Sequence, residues 1–332
     1  MPAPAVAARK NRDMLSSAAD LPEFLRAEIL ATLAGASWRR YPEPPADLRA
    51  RIAAHYGVAA ANVLPTRGCR EAVELAFAWA VRAGAPRGVT AVALPRPSWF
   101  GFVDIAERAG IAWSAYDVAA TPDVDRIPVL CTPNSPTGHV VDDADLARLC
   151  ANDAIPTVVD CTYDDLADRP VLPGVRRLLT GRGVFCVSLA KSTGLAGARL
   201  GVLLATADVV AEIEELADPF ALDAFQVAAL ATLFSDAGRR AWQDMIGRVR
   251  TARAQCVDHV RALLPCGIVG PAVGNVVYGR FGDCRGTHLA DIVEATGATV
   301  FPQERVLRFS VGGTAVAALA ALRQHGPRGE CG

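Results

Sequence analysis

Short apolar runs alternate with amphipathic segments along most of the chain. The runs that predict buried strands are 89–94, 111–116, 127–131, 155–159, 183–189 and 202–205. Between and around them, apolar residues recur at three- and four-residue steps, which predicts helices over 21–33, 47–55, 71–82, 101–109, 142–151, 207–216 and 221–234. Gly57 is expected to end the second of these helices, because glycine readily takes the backbone conformation found there.

A long amphipathic segment, 239–264, follows these elements. We expect it to link a large domain, residues 41–236, to a small C-terminal domain, residues 237–332. Residues 1–40 are expected to form an N-terminal arm and part of the small domain. The elements predicted in the C-terminal region are strands over 276–281 and 306–311 and a helix over 287–296.

The overall composition argues against several classes of protein. With 52% hydrophobic residues and a net charge of −1, the chain can bury a core and offers no basic surface for nucleic acid. No apolar run reaches the ~18 residues of a membrane span, and the N-terminus lacks the pattern of a secretory signal. The nine cysteines form no C-x-x-C pair, and no metal-ligand spacing occurs. We therefore expect a cytoplasmic protein without a metal site, a membrane segment or a nucleic-acid partner.

Lys191 lies in an apolar, glycine-rich segment of a chain that has almost no other lysine. Only two of the 34 Lys and Arg residues are lysines, Lys10 and Lys191. A single lysine is most often a loop residue whose stem packs on apolar neighbours. Chemistry that needs a neutral amine, such as Schiff-base formation, cannot use arginine, because guanidinium keeps its proton. Ser188, Arg199 and the glycines around Lys191 suit a phosphate beside that amine.

The segment 188–201 has the pattern S-x-x-K-x-x-G-L-A-G-x-R-x-G and resembles the lysine segment of fold-type I pyridoxal-phosphate (PLP) enzymes. Across residues 40–312 the chain resembles class I/II aminotransferases of the histidinol-phosphate aminotransferase type. The resemblance implies an α/β fold: a three-layer sandwich with a mostly parallel central sheet, plus a small α+β C-terminal domain. It also implies that PLP is the cofactor, that Lys191 forms the Schiff base, and that Ser188 and Arg199 bind the phosphate.

Two earlier segments extend the resemblance to the phosphate of the cofactor. The sequence R-Y-P at 40–42 is similar to a family stretch whose tyrosine reaches the phosphate of the other subunit. The resemblance therefore implies a homodimer with shared active sites, in which Tyr41 crosses; without the family, Tyr41 reads as a turn residue packed on the core. Gly68, Cys69 and Arg70 match the family's phosphate-binding turn at a helix start, where free backbone N–H groups face an anion. Cys69 stands where serine is usual.

Two turns after predicted strands match residues around the cofactor ring. In P-R-P-S-W-F at 95–100, Trp99 takes the place of the family's ring-stacking aromatic residue, with a core tryptophan as the alternative. The sequence T-P-N-S-P-T-G at 132–138 resembles N-P-N-N-P-T-G. Ser135 stands where the family has the asparagine that bonds the phenolic oxygen, and its shorter side chain reaches less far. Asn134 is assigned to substrate binding.

Asp160 ends a fully apolar predicted strand, the place where α/β enzymes keep site residues. The pattern D-x-x-Y at 160–163 resembles the family's D-E-A-Y. By this resemblance Asp160 bonds the pyridine nitrogen and keeps it protonated, and Tyr163 donates to the phenolic oxygen. The sequence L-R-F-S-V-G at 307–312 is similar to a family strand whose arginine binds the substrate α-carboxylate, which would be Arg308. Without the family, Asp160 would be a helix-capping or turn aspartate, and Arg308 would belong to a buried structural ion pair.

Other functions remain open at this point. A nicotinamide enzyme could use the glycines near Lys191, but the spacing G-x-x-G-x-x-x-G is not G-x-G-x-x-G. A non-catalytic relative should have lost the lysine, the aspartate or the arginine, and all three are present. Among PLP reactions, transamination of an L-amino acid or related amine is expected, with a specialised biosynthetic pathway as its setting. A decarboxylase, lyase or cyclase of the same fold is the alternative.

Overall fold

Helices and strands alternate along the described part of the computed structural model, residues 20–37, 39–264, 267–268, 272, 274–281, 287–301, 305–312 and 315–325. The helices are α1 Glu23–Ala34, α2 Leu48–Tyr56, α3 Cys69–Gly84, α4 Gly101–Arg108, α5 Asp143–Cys150, α6 Ala207–Glu214, α7 Ala224–Leu233, α8 Asp236–Leu263, α9 Thr287–Thr296 and α10 Ala315–His325. The strands are β1 Val63–Thr66, β2 Val92–Arg96, β3 Trp113–Asp117, β4 Ile127–Cys131, β5 Thr157–Asp160, β6 Gly183–Ser188, β7 Gly201–Leu204, β8 Val276–Arg280, β9 Thr299–Phe301 and β10 Val306–Ser310.

Seven strands form one sheet in the order β1-β7-β6-β5-β4-β2-β3. The pairs β2–β3, β2–β4, β4–β5 and β5–β6 are parallel, whereas β7 is antiparallel to both β6 and β1. Parallel neighbours bring their carboxyl ends to the same edge of the sheet, where α/β enzymes bind ligands. Asp160 at the end of β5 and Ser188 at the end of β6 therefore lie at that edge.

Alternate residues of the central strands enter two different apolar clusters. Val158 and Val184 belong to one cluster, and their chain neighbours Val159 and Phe185 belong to the other. Successive side chains of a strand point to opposite faces, so the two clusters lie on the two faces of the sheet. Residues of α2, α5, α7 and the first half of α8 complete one cluster, and residues of α3, α4 and α6 complete the other. The result is a three-layer sandwich, as expected.

Helix α8 is 28 residues long and spans two cores. Near its start, Trp242 and Met245 lie in the cluster that contains Val159. Near its end, Cys256 and Val260 lie in a third cluster with residues of β8, β10 and α10. The strands β8, β10 and β9 form a separate antiparallel sheet in that order. The domain limits at 40/41 and 236/237 stay predictions.

Most predicted elements are present, with ends that differ by a few residues, and Gly57 ends α2 with φ 68° as expected. Three elements, β1, β9 and α10, were not predicted. Strand β1 contains Pro65, which has no N–H to donate and therefore argues against a strand. It lies at the edge of the sheet, where proline is tolerated.

Candidate active site

Lys191 follows β6 in a turn at the carboxyl edge of the sheet, and it is half-buried. Its Nζ atom lies 5.7 Å from the centroid of the Tyr163 ring. Burial, together with the positive charges of Arg308 and Arg199, lowers the pKa of the Lys191 amine. A lowered pKa makes the neutral amine more available, which is the form that attacks a carbonyl carbon.

Asp160 is 3% exposed at the end of β5. Its Oδ1 atom accepts the backbone N–H of Thr162 at 2.8 Å and the thiol of Cys69 at 3.5 Å. Burial raises the pKa of Asp160, and the hydrogen bonds from Thr162 and Cys69 and the charge of Lys191 oppose that rise. A buried carboxyl with few cationic neighbours suits a cationic group placed directly against it.

Three predicted phosphate-binding positions come together where α3 begins. Gly68 stands before α3 with φ 87° and ψ 169°, a backbone that favours glycine. A Cβ atom added to Gly201 would lie 2.5 Å from the carbonyl carbon of Gly68, so the two segments touch. Ser188 is paired with Gly201 in the β6–β7 register. A Cβ atom on Gly68 would lie 3.4 Å from Nη2 of Arg199, which places that guanidinium beside the helix start.

The side chains of Cys69 and Arg70 point away from this phosphate position. The Cys69 thiol is buried and bonds Asp160 and, at 3.6 Å, the carbonyl of Cys186. The Arg70 guanidinium pairs with Asp104 and, at 2.9 Å, with Glu74. Only the backbone N–H groups of these two residues remain for an anion at the helix start. The motif resemblance did not predict the contact between Cys69 and Asp160.

Ser135, Tyr163 and Tyr278 form a cluster of hydroxyl groups. The Oγ atom of Ser135 lies 3.2 Å from the hydroxyl oxygen of Tyr278. Burial raises the pKa of Tyr163 to about 12 and nearby Tyr278 adds to the rise, whereas Arg308 and a hydrogen bond with Ser135 lower it. Sequence reasoning missed Tyr278. The available signal was its predicted strand, but the register that sets it opposite Arg308 could not be read from the chain.

Arg308 lies on β10 and is half-buried. Its Nη1 atom is buried and has no hydrogen-bond partner among the described residues. Its charge acts on both Lys191 and Tyr163, so it stands at the same site. A buried guanidinium nitrogen without an acceptor is costly, and a carboxylate or phosphate of a ligand would satisfy it.

Asn134 has no side-chain group left for a ligand. It is fully buried, its Nδ2 atom donates to the carbonyl of Pro97 at 3.0 Å and to Thr137 at 2.7 Å, and its Oδ1 atom accepts from Ser98 at 2.5 Å. These bonds tie the turn after β4 to the turn after β2. The geometry therefore favours a structural role for Asn134 over the predicted substrate contact.

The roles of Trp99 at the cofactor ring and of Tyr41 at the partner's phosphate stay predictions. Trp99 packs edge-on against Phe102, with ring centroids 5.3 Å apart, and covers Gly101 so closely that a Cβ atom there would lie 2.1 Å from its ring. Tyr41 is 69% exposed and stacks on Phe220, which is 57% exposed, at 4.2 Å between centroids. An exposed aromatic pair of this kind is more typical of an interface than of free surface.

The described ranges contain neither a metal-binding cluster nor a membrane-spanning helix. No group of three or more His, Cys, Asp or Glu residues there could hold a metal ion. No helix in that part of the chain has the length and apolar character that crossing a membrane requires.

Comparison with known proteins shows the family of this chain. The family model for aminotransferase class I and II matches residues 10–318. The chain belongs to the class I and II aminotransferase family. A histidinol-phosphate aminotransferase from Rhodopirellula baltica is 30% identical over 256 residues, which cover 73% of this chain and 67% of the relative. The resemblance inferred from the motifs is confirmed.

Solved structures give the same fold for this aminotransferase. Histidinol-phosphate aminotransferase from Sinorhizobium meliloti, in complex with pyridoxal-5'-phosphate, has a TM-score of 0.72 at 20% identity, covering 93% of this chain and 88% of that one. L-threonine-O-3-phosphate decarboxylase from Porphyromonas gingivalis also has a TM-score of 0.72, at 19% identity, covering 93% and 99%. The fold and the cofactor, PLP, are as expected for the family, and the nicotinamide and non-catalytic alternatives are wrong.

Proposed function

We propose that this aminotransferase takes the amino group of an L-amino acid or related amine whose anionic group pairs with Arg308. The buried, unpartnered Nη1 atom of Arg308 beside Lys191 carries this proposal. Two parallel N–H···O bonds from a guanidinium fix both the position and the plane of a carboxylate. They would hold the α-carbon of the substrate at the Lys191 amine.

The residues around Lys191 fit PLP in the roles that the family resemblance implies. Ser188, Arg199 and the backbone N–H groups after Gly68 would bind the phosphate. Asp160 would pair with the ring nitrogen, and Tyr163 with the phenolic oxygen. The buried Asp160 carboxyl and the closely packed Gly68–Gly201 turn support these assignments.

When bound, PLP supplies a carbonyl carbon that accepts an amine and a ring that withdraws electrons from the bonds at the α-carbon. Lys191 would supply the amine for this carbonyl carbon. The neutral Lys191 amine would also be the group that takes up and gives back a proton at the substrate α-carbon. Burial and the nearby cations, which lower the pKa of Lys191, favour the neutral form for this transfer.

The proposed working unit is a homodimer in the cytoplasm. The exposed Tyr41–Phe220 stack supports a subunit contact, through which Tyr41 would reach the partner's phosphate. The described cysteines 69, 131, 150, 161, 186 and 256 are buried and free, which is typical of proteins from a reducing compartment.

The reaction is tested by mass spectrometry with a panel of amino donors. The panel includes common L-amino acids and histidinol phosphate, since an arginine can also bind a phosphate. Keto product, decarboxylated amine and CO₂ are scored separately, with Lys191→Ala as the inactive control. We expect keto product from the wild-type enzyme and none from Lys191→Ala. Formation of amine and CO₂ without keto product would show that the enzyme is a decarboxylase and not an aminotransferase.

A further inference from the structure

Tyr278 brings a hydroxyl group from the small sheet to the large one. It lies on β8, directly opposite Arg308 of β10 in the antiparallel register. Directly opposed residues point to the same face, with Cβ atoms about 4.5–5.5 Å apart. The hydroxyl of Tyr278 lies 3.2 Å from Oγ of Ser135, in the turn after β4. The strand pair that carries Arg308 therefore also carries a hydroxyl to Ser135.

Ser135 has one proton and two lone pairs to distribute. Its Oγ atom lies 3.2 Å from the hydroxyl oxygen of Tyr278. A hydrogen bond with Ser135 also lowers the pKa of Tyr163, so the serine hydroxyl serves both tyrosines. If Tyr278 donates to Ser135, the proton of Ser135 is free to point at the oxygen of Tyr163. The Tyr163 proton then points away from Ser135, toward an acceptor other than Ser135 and Tyr278.

The turn before β8 also restrains the ring of Tyr163. A Cβ atom on Gly274, whose φ is 62°, would lie 2.0 Å from Cδ1 of Tyr163, so the backbone lies directly against that ring. The turn before β8 thus contacts the ring of Tyr163 through Gly274, and β8 itself reaches the Tyr163 hydroxyl through Tyr278 and Ser135. A ring held on one side with its oxygen bonded on the other has a defined orientation.

We propose that Tyr278 is a positioning residue of the active site, whose hydroxyl orients Ser135 so that Ser135 donates to Tyr163 and the Tyr163 proton is directed at the phenolic oxygen of PLP. This inference rests on the proposed role of Tyr163. It explains how a serine works where the family has an asparagine: the hydroxyl of Tyr278 fixes the direction of a group too short to reach alone. Successive hydrogen bonds also polarise one another, which makes Tyr163 a stronger donor.

The test is the pH midpoint at which the absorbance of the bound cofactor changes. A donor on the phenolic oxygen stabilises the deprotonated form, in which that oxygen carries more negative charge, so losing the donor raises the midpoint. Tyr278→Phe and Ser135→Ala should each raise it by about 0.5–1 pH unit, the size of one net hydrogen bond. The double variant should raise it no further, because both changes break one chain.

Tyr116→Phe is the matched control, because Tyr116 donates to the carbonyl of Val129 outside this cluster. Its midpoint should equal that of wild type. A wild-type midpoint in Tyr278→Phe, or additive shifts in the double variant, would overturn the inference. Ser135→Ala lies on another element and keeps the test valid if Tyr278→Phe does not fold. If wild type itself takes up no PLP at Lys191, as shown by borohydride trapping, the proposed function fails instead.

Discussion

The thiol of Cys69 lies 3.5 Å from Oδ1 of Asp160, so a cysteine supports the aspartate expected to face the cofactor ring. The contact also explains why α3 can begin with a cysteine where serine is usual. The side chain points at the aspartate, and the helix start keeps only its backbone N–H groups for an anion.

Removing this thiol should weaken PLP binding. Cys69→Ala deletes one of the donors that favour the charged form of Asp160, so we expect roughly a three- to tenfold loss of PLP affinity, about 0.7–1.4 kcal/mol. Cys69→Ser retains a donor and should bind within about threefold of wild type. PLP titration of the apoprotein measures both. Cys150→Ala removes a buried thiol outside this site and controls for packing; equal losses in both alanine variants would refute the role of the bond.

Arg308 should determine capture of the substrate and not of the cofactor. Arg308→Lys keeps the charge and loses the two-pronged geometry, so amino-acid affinity should fall at least about tenfold, ~1.4 kcal/mol. PLP affinity should stay unchanged. Titrating the cofactor spectrum with amino acid measures the first, and titrating the apoprotein with PLP measures the second. The exposed Arg280→Lys, on neighbouring β8, is the control. Undiminished amino-acid affinity would make Arg308 a structural residue.

Asp165 should make stability depend on pH. Its Oδ2 atom accepts a hydrogen bond from the Ser192 hydroxyl at 2.7 Å. Burial raises the pKa of Asp165 to about 7. The charge of Asp164 adds to this rise, whereas the hydrogen bond from Ser192 and the charge of Arg250 oppose it. The Asp165 charge also raises the pKa of buried Tyr56. A raised pKa means that the folded state binds the proton more tightly than the unfolded state does. Stability is therefore greatest below about pH 4, falls as pH rises from there to about 7, and is level above that.

Asp165→Asn removes that dependence because it cannot ionise and still offers Ser192 an oxygen. At pH ~8 we expect it to be about 1–3 kcal/mol more stable than wild type, with little difference at pH ~3.5, where the unfolded carboxyl also keeps its proton. Denaturant unfolding at both pH values checks this. Asp164→Asn is the comparison: both oxygens of Asp164 accept backbone N–H groups, at 2.6 and 2.9 Å, so its amide should destabilise. Equal stability of wild type and Asp165→Asn at high pH would contradict the prediction.

Mixed subunits test whether Tyr41 serves the partner's site. Tyr41→Phe and Lys191→Ala homodimers should each be impaired. In the mixed dimer, one site combines an intact Lys191 with an intact Tyr41 from the other chain, so one of its two sites is complete. Equal amounts of the two subunits pair at random into about one half mixed dimers, so the mixture should recover about a quarter of wild-type activity. Activity is measured after co-refolding, and light scattering checks the dimer. A mixture no more active than its parents would place Tyr41 in its own subunit's site or outside any site.

Local sequence patterns predicted helices and strands well where the hydrophobic periodicity and the breaking residues at the ends agreed. Strand β4 and helix α9 have the predicted bounds, because an apolar run and a periodic segment each end at clear breaks. Strand β1 was missed because its Pro65 contradicts the pattern, and only the sheet edge makes it acceptable. Such edge positions depend on tertiary order, which a single sequence does not state.

The motifs of the candidate site could be read from the sequence, whereas the contacts between its residues could not. The motifs around Lys191, Asp160 and Arg308 could be read because each keeps its residues close together in the chain. The Tyr278–Ser135 contact joins residues 143 positions apart, so only strand register and domain placement create it. The same reason hid the Cys69–Asp160 bond, which joins two turns that no local pattern connects.

Helix α8 packs into two apolar cores and therefore connects the two parts of the active site. A helix of this length is a rod of roughly 42 Å, and Lys191 and Arg308 belong to parts of the molecule mounted near its opposite ends. Gly247 lies on this rod with open space where a side chain would stand. A change in the curvature of α8 at this glycine would therefore change the distance between Lys191 and Arg308.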